Sequence, residues 1–153
     1  MGVSGAGKTL VGRTLAESLE WTFLDADDFH PQANIAKMAA GTPLDPQDRA
    51  AWLEALLVAL AAASSTGHAV LACSALRANF RSALAAGVRD VRFVYLRADR
   101  DLIRARVAGR LDHFMPVSLV DSQFDTLEEP GDALTMDGSK TPEEIVRDIT
   151  RQL

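Results

Sequence analysis

The chain carries a complete phosphate-binding loop motif, G-x-x-x-x-G-K-[ST], within its first nine residues. Glycines let such a loop turn tightly and point several backbone N–H groups into one concavity, and the following helix adds the positive end of its dipole. The lysine of the motif reaches the β- and γ-phosphates of a nucleotide, and the final hydroxyl ligates Mg²⁺. We therefore predict a site for a nucleotide and Mg²⁺ made of Gly2, Val3, Ser4, Gly5, Ala6, Gly7, Lys8 and Thr9.

A glycine-rich turn that only caps a helix is the alternative interpretation of this motif. All four fixed positions are matched, and a helical pattern follows at once, with Leu10, Leu15 and Leu19 at helical spacing. These two observations favour the phosphate site.

Length and composition restrict the class of protein. The 153 residues suffice for one domain with a real core, and the net charge of −5 gives no electrostatic footprint for nucleic acid. The single cysteine, Cys73, excludes an internal disulfide and is expected to be a small buried residue. The longest apolar stretch, residues 55–63, is too short to span a bilayer. We expect a single cytoplasmic domain, residues 1–153, with no nucleic-acid or membrane partner.

Short apolar runs alternate with helical patterns along the chain, which predicts an α/β fold with a parallel sheet and helices on both faces. Asp45-Pro46 and Thr141-Pro142 each place a capping residue before a proline, and Glu144 completes a capping box with Thr141. Strands are expected at residues 22–24, 69–72, 91–96 and 133–136. Helices are expected at about 8–20, 32–40, 46–65, 75–86, 99–110, 116–124 and 141–152.

The phosphate loop lies where a strand should already have ended. Such a loop normally joins a buried strand to a helix, and here only Met1 precedes it. In a doubly wound sheet that strand is central, so its loss would expose the edges of both neighbours and remove apolar core. We therefore expect that the first central strand is missing from this chain and that the natural protein begins several residues upstream.

Polar residues follow the predicted strands at the edge where α/β sheets bind ligands. They are Asp25, Asp27 and Asp28 after the first strand, Ser74 after the second, Arg97 after the third and Asp137 after the fourth. Carboxylates beside a phosphate site can hold the waters of Mg²⁺ and accept a proton from an attacking hydroxyl. An acidic loop that merely caps the next helix is the alternative, and the upstream phosphate loop favours the catalytic interpretation.

With these motifs in place, the sequence resembles the gluconokinase family of small phosphate-loop kinases, also described as thermoresistant glucokinase-like. Phe80 stands where the family often has tyrosine, and Asp112 stands where it usually has glycine. The resemblance extends from Gly2 almost to the end of the chain and rests on the phosphate loop and on residues 25–31, 34–38, 41–44, 48–49, 52–53, 73–76, 80–81, 113–116 and 123–128.

The resemblance implies ATP-dependent phosphorylation of D-gluconate at its 6-hydroxyl, giving 6-phosphogluconate. It also implies the fold of shikimate and nucleoside monophosphate kinases, with a five-stranded parallel sheet and a mobile lid, and a homodimer by analogy. A kinase for another small hydroxy acid such as shikimate, and an N-terminally truncated inactive form, are the alternatives.

Roles for individual residues follow from the resemblance and from the chemistry of phosphoryl transfer. Lys8 and Thr9 hold the donor with Mg²⁺, and Asp25 is the carboxylate on the metal side. Asp27 orients or deprotonates the acceptor hydroxyl. Asp28 could share either role.

The acceptor is an anionic polyol, so its pocket should offer cations to the carboxylate and polar groups to the hydroxyls. Solvated surface charge is the alternative for Lys37 and Arg49, and a helix-start role is the alternative for His30. The candidates for this pocket are Asp27, His30, Lys37, Arg49, Ser74 and Arg81.

A lid is expected at about residues 104–124. Arg106 and Arg110 are four residues apart on a predicted helix, so they can face the same way and neutralise transferring phosphate oxygens when the lid closes. A basic helix end that only complements the helix dipole is the alternative.

Overall fold

The computed structural model describes residues 1–40, 42, 44–109 and 118–153. Within these ranges the helices are α1 (Lys8–Leu19), α2 (Gln32–Ala39), α3 (Pro46–Thr66), α4 (Ala78–Gly87), α5 (Arg100–Ala108), α6 (Ser118–Thr126) and α7 (Pro142–Thr150). The strands are β1 (Thr22–Asp25), β2 (Ala69–Ala72), β3 (Val94–Arg97) and β4 (Leu134–Asp137), and a 3₁₀ turn, η1 (Ala26–Phe29), follows β1. The predicted alternation of strands and helices is confirmed. Arg110, Asp112 and the other central residues of the expected lid lie outside the described residues.

The strands form two parallel pairs, β1 with β2 and β3 with β4. Met1 and Gly2 lie between these pairs. Met1 donates from its amine to the carbonyl of Val94 and accepts from the N–H of Leu96 at 3.0 Å, and Gly2 donates to the carbonyl of Ser74 at 3.1 Å. The expected single sheet is therefore divided in the described part of the chain, where no ladder joins β2 to β3. A further strand between the two pairs stays a prediction.

Two element boundaries differ from expectation for identifiable reasons. β3 begins at Val94 rather than residue 91, because its partner β4 begins at Leu134, opposite Val94. α4 begins at Ala78 rather than residue 75. Ala75 has a left-handed backbone with φ of 43°, and the carboxylate of Glu128 accepts from the N–H of Ala78 at 2.7 Å.

Both predicted helix starts are confirmed. The side chain of Thr141 accepts from the N–H of Glu144, and the carboxylate of Glu144 accepts from the N–H of Thr141. Asp45 caps α3 in the same way, with Asp48 as the reciprocal partner that the sequence analysis did not identify. These caps satisfy N–H groups that have no partner inside the helix.

Two apolar clusters support the two sides of the molecule that carry the predicted site. The first packs α1, α5, α6 and α7 against β3 and β4 and includes Val3 of the phosphate loop. The second surrounds Leu56 of α3, which is fully buried, and includes Ala26 of η1 and Cys73. Cys73 is therefore buried, as predicted. In the described part of the chain, no helix has the length and apolar character that a membrane crossing requires.

Candidate active site

The phosphate loop owes its shape to glycines with left-handed backbone angles. Gly5 and Gly7 have φ values of 86° and 94°, and Gly7 turns the chain directly into α1. Residues with side chains reach this conformation at a cost of about 1–2 kcal/mol. A Cβ atom on Gly7 would meet no atom within 4 Å, so the backbone angle, not lack of space, requires glycine there. The loop is thus built from backbone geometry at the N-terminus of a helix, which favours anions.

The donor loop and the first acidic segment meet through a side-chain hydrogen bond. The Thr9 hydroxyl donates to Oδ2 of Asp25 at 2.7 Å, and Oδ1 of Asp25 accepts from the N–H of Asp27 at 3.2 Å. Lys8 lies along the same loop, where its ammonium donates to the carbonyl of Val3 at 3.0 Å. The structure therefore brings the end of β1 and the start of α1 together, as the sequence predicted from the strand-end rule.

Oxygen atoms of Thr9 and Asp25 are of the kinds that Mg²⁺ takes as ligands. No group of three or more His, Cys, Asp or Glu side chains able to hold a metal occurs among the described residues. A hydroxyl and one carboxylate are consistent with Mg²⁺ because this ion keeps several waters and shares substrate phosphates. The donor set therefore fits a magnesium ion that accompanies a nucleotide.

Asp27 is exposed at the surface of η1, beside His30. Partial burial lowers the pKa of His30, and the negative charge of Asp27 opposes that shift. Burial raises the pKa of the Cys73 thiol to about 11, while the charge of Lys8 lowers this pKa and that of Asp27 raises it. Cys73 is therefore a neutral thiol near pH 7.

Three aromatic rings form a stack behind η1. The ring of Trp52 lies between those of His30 and Phe80, with centroid distances of 4.7 and 5.2 Å and interplanar angles of 9° and 7°. The indole N–H of Trp52 also donates to the carbonyl of Ala26 at 2.7 Å. The sequence did not predict this stack, since the three rings come from separate segments and no local spacing indicates their contact.

Two of the predicted acceptor cations lie at the junction of α2 and α3. Lys37 pairs with Asp48 at 2.6 Å and with Asp45 at 3.3 Å, and the hydrogen bond that it donates to Asp48 is the main reason that the pKa of Lys37 is raised. Arg49 donates to the carbonyl of Leu44 at 2.8 Å. Both side chains thus hold the start of α3 in the structure, and their role toward the acceptor stays a prediction.

Arg81 and Ser74 lie at the opposite, β2–α4, side. Arg81 is 8% exposed, and its Nη1 donates to the carbonyls of Ala75 and Leu76 at 3.0 and 3.1 Å. Ser74 accepts from the N–H of Gly2 through its carbonyl, so it adjoins the phosphate loop. Of the acceptor candidates, Ser74 contacts the phosphate loop directly and Asp27 is joined to it through Asp25 and Thr9.

The expected lid begins on α5, whose arginines pair with α6. Arg104 binds Asp121 at 2.7 Å, and Arg100 contacts Asp121 and Asp125 at 3.2 Å. The predicted lid residue Arg106 lies in the last turn of the same helix, α5, and is partly exposed. The structure thus joins the two helices of the expected lid through arginines that the sequence analysis did not single out.

A second contact that the sequence did not indicate joins α6 to the phosphate loop. The N–H of Ser4 donates to Oε1 of Gln123 at 2.6 Å. One N–H of the predicted phosphate cradle is therefore bound to a side chain 119 residues away. Gln123 lies in residues 123–128, one of the segments that carry the family resemblance. This resemblance was the one sign in the sequence that Gln123 belongs near the site.

Comparison with known proteins finds similar kinases over most of the chain. A family model described as shikimate kinase matches residues 4–153. The thermoresistant gluconokinase of Escherichia coli K12 is 41% identical over 151 residues, which cover 95% of this chain and 86% of that protein. A probable gluconokinase of Xenopus tropicalis is 45% identical, covering 85% of this chain and 77% of its own length.

A solved structure agrees with these sequence relatives. The crystal structure of a gluconokinase from Sinorhizobium meliloti 1021 superposes with a TM-score of 0.84 at 38% identity. The match covers 97% of this chain and 85% of that structure. The chain is therefore similar in both fold and sequence to small-molecule kinases.

Proposed function

The chain belongs to the gluconokinase family, and we propose that it transfers the γ-phosphoryl group of ATP to the 6-hydroxyl of D-gluconate, giving 6-phosphogluconate. The observation that carries this proposal is the hydrogen bond between Thr9 and Asp25, which joins the phosphate loop to the carboxylates at the end of β1. Phosphoryl transfer needs a held donor and a positioned acceptor hydroxyl in one site, and this contact joins the two.

On the donor side, the loop N–H groups and Lys8 bind the phosphates of ATP. Thr9 and Asp25 would hold Mg²⁺, which neutralises charge on the phosphate oxygens when it is bound. Lys8 supplies a fixed positive charge near the transferring group, where charge must be stabilised in the transition state. The loop thus positions the donor largely through main-chain groups.

On the acceptor side, Asp27 orients the 6-hydroxyl and accepts its proton. His30 and Ser74 offer polar groups to the other hydroxyls. The carboxylate of the acceptor takes a cation from Lys37, Arg49 or Arg81, and use of Lys37 would require competition with Asp48. Arg106 supports the transferring phosphoryl group from α5, and the matching role of Arg110 stays a prediction, as do a homodimer and a cytoplasmic location.

A kinase for a different hydroxy acid is the second candidate, because the matching family model is described as shikimate kinase. An ADP-release assay with gluconate, shikimate, glucose and nucleoside monophosphates separates the two. Oxidation of the product by 6-phosphogluconate dehydrogenase identifies the phosphorylated position. We expect turnover with gluconate and a product that this dehydrogenase accepts. Turnover with shikimate but not gluconate would overturn the proposal, and the Lys8→Met variant controls for a contaminating kinase.

A further inference from the structure

Trp52 connects three separate parts of the acceptor side. It belongs to α3, and its ring is the middle member of the stack between His30, which follows η1, and Phe80 of α4. Both interplanar angles are under 10°, so a rotation of the indole would disturb both neighbours. Stacked rings at these distances attract one another beyond the area that they bury. The plane of the His30 ring is therefore determined by Trp52.

The indole N–H holds the backbone of η1 as well. It donates at 2.7 Å to the carbonyl of Ala26, a residue that is 1% exposed and lies between Asp25 and Asp27 in sequence. From the other side, Asp25 is held by the hydroxyl of Thr9 and accepts from the N–H of Asp27. The backbone that carries Asp27 is thus fixed between the phosphate loop and Trp52.

Burial leaves one ring nitrogen of His30 out of reach of a ligand. Nδ1 of His30 is enclosed and has no hydrogen-bond partner among the described residues. A ligand that reaches this ring must therefore bind Nε2. A histidine whose ring plane and available nitrogen are both fixed is prepared to bind a hydroxyl in one direction.

We propose that Trp52 is a positioning residue for the phosphoryl acceptor: it aligns the Asp27 carboxylate and the His30 ring with the polyol. Trp52 touches no reacting atom in this role and acts through the Ala26 carbonyl and the His30 ring. The inference rests on the proposed function, since it assumes that Asp27 and His30 face the acceptor. A purely structural role in the second apolar cluster is the competing explanation.

Two substitutions separate these explanations by kinetics. Trp52→Phe keeps an aromatic ring but removes the N–H that binds Ala26, and Trp52→Leu removes both contacts. Trp21→Phe is the matched control, because the only other tryptophan stacks on His68 at 4.6 Å, away from η1. A small misplacement of a reacting group can cost roughly 100-fold in rate.

We expect kcat/KM for gluconate to fall about 10-fold in Trp52→Phe and about 100-fold in Trp52→Leu, with the KM for ATP changed less than about 2-fold. Trp21→Phe should leave all constants unchanged. Equal losses toward gluconate and ATP, or a lower melting temperature with unchanged kinetics, would show that Trp52 is only structural. If the wild-type protein does not phosphorylate gluconate, the proposed function itself fails, so the two failures are distinguishable.

Fluorescence tests directly whether the His30 ring that Trp52 contacts faces the acceptor. In the Trp21→Phe protein the remaining emission comes from Trp52, and protonated histidine in contact with an indole quenches its emission. Emission should rise with pH as His30 loses its proton, with Asp27 as the charged group beside the ring. We expect saturating gluconate to shift the midpoint and His30→Gln to abolish the transition. A midpoint that gluconate does not move would overturn the proposal.

Discussion

The proposed donor and acceptor sides of the site are built by different means. The phosphate loop takes its shape from backbone angles at Gly5 and Gly7 and from its junction with α1. The acceptor side is shaped by side chains, through the His30–Trp52–Phe80 stack and the Lys37–Asp48 ion pair. A site built from the main chain serves any nucleotide with the same phosphates, whereas a site built from side chains can be changed for each acceptor.

The largest expected effect concerns Lys8, the proposed cation of the donor side. Replacing Lys8 with methionine removes the cation proposed to bind the phosphates, and kcat should fall about 10³-fold, as losses of transition-state charge stabilisation do. Lys140→Met is the control, because Lys140 pairs with Asp148 at 2.7 Å on the α7 side. Steady-state kinetics of both purified variants provide the measurement. A Lys8→Met enzyme with more than a tenth of the wild-type kcat would contradict the assigned role.

On the acceptor side, Asp27→Asn tests the proposed proton acceptor. The amide is similar in size but cannot accept the proton, so kcat should fall about 10²- to 10³-fold. Asp28→Asn is the matched control on the same exposed turn and should lose less than about 5-fold. Single-turnover measurements at saturating gluconate and ATP separate the chemical step from binding. If Asp28→Asn shows the greater loss, the roles of the two carboxylates are exchanged.

Gly7→Ala tests whether backbone geometry alone controls the donor side. The added Cβ meets no atom within 4 Å, so the substitution introduces conformational strain without a clash. The free energy of unfolding should fall by about 1–2 kcal/mol. Gly131→Ala has equal space and no left-handed angle, so it should be neutral or slightly stabilising. Urea denaturation measures both, and equal effects would show that the left-handed angle is not the constraint.

The smallest expected effect is a pH dependence on the acceptor side. Burial lowers the pKa of His30, so the unfolded chain binds its proton more readily than the folded protein does. Neutral His30 therefore contributes fully to the free energy of unfolding above its ordinary pKa of about 6.5. This contribution declines as the pH falls from there toward the lower pKa that His30 has in the folded protein. Urea denaturation of the wild type and of His30→Gln at pH 7.5 and 5.5 measures this contribution. The free energy of unfolding should fall less between these two pH values in the variant, and an equal fall in both proteins would refute the contribution of His30.

The features that the sequence predicted are local ones, and those that it did not predict are contacts between distant side chains. The phosphate loop, the alternating elements and the capping box at Thr141 depend on residues near one another in sequence, and all of them were predicted. The Trp52 stack, the Lys37–Asp48 pair and the Gln123–Ser4 contact depend on which distant side chains meet after folding. No periodicity or local motif contains that information. The start of α4 was placed too early for the same reason, since its first N–H is capped by Glu128, 50 residues along the chain.

The partners of residues 1–4 have a consequence for the order in which the molecule is completed. Met1 binds Val94 across 93 residues, and Ser4 binds Gln123 across 119. During synthesis from the N-terminus, residues 1–4 are therefore made long before the segments that hold them. Contacts of such long range also slow folding, because loop-closure entropy is lost before they form. The Ser4 N–H of the phosphate loop thus gains its Gln123 partner only after residue 123 has been synthesised.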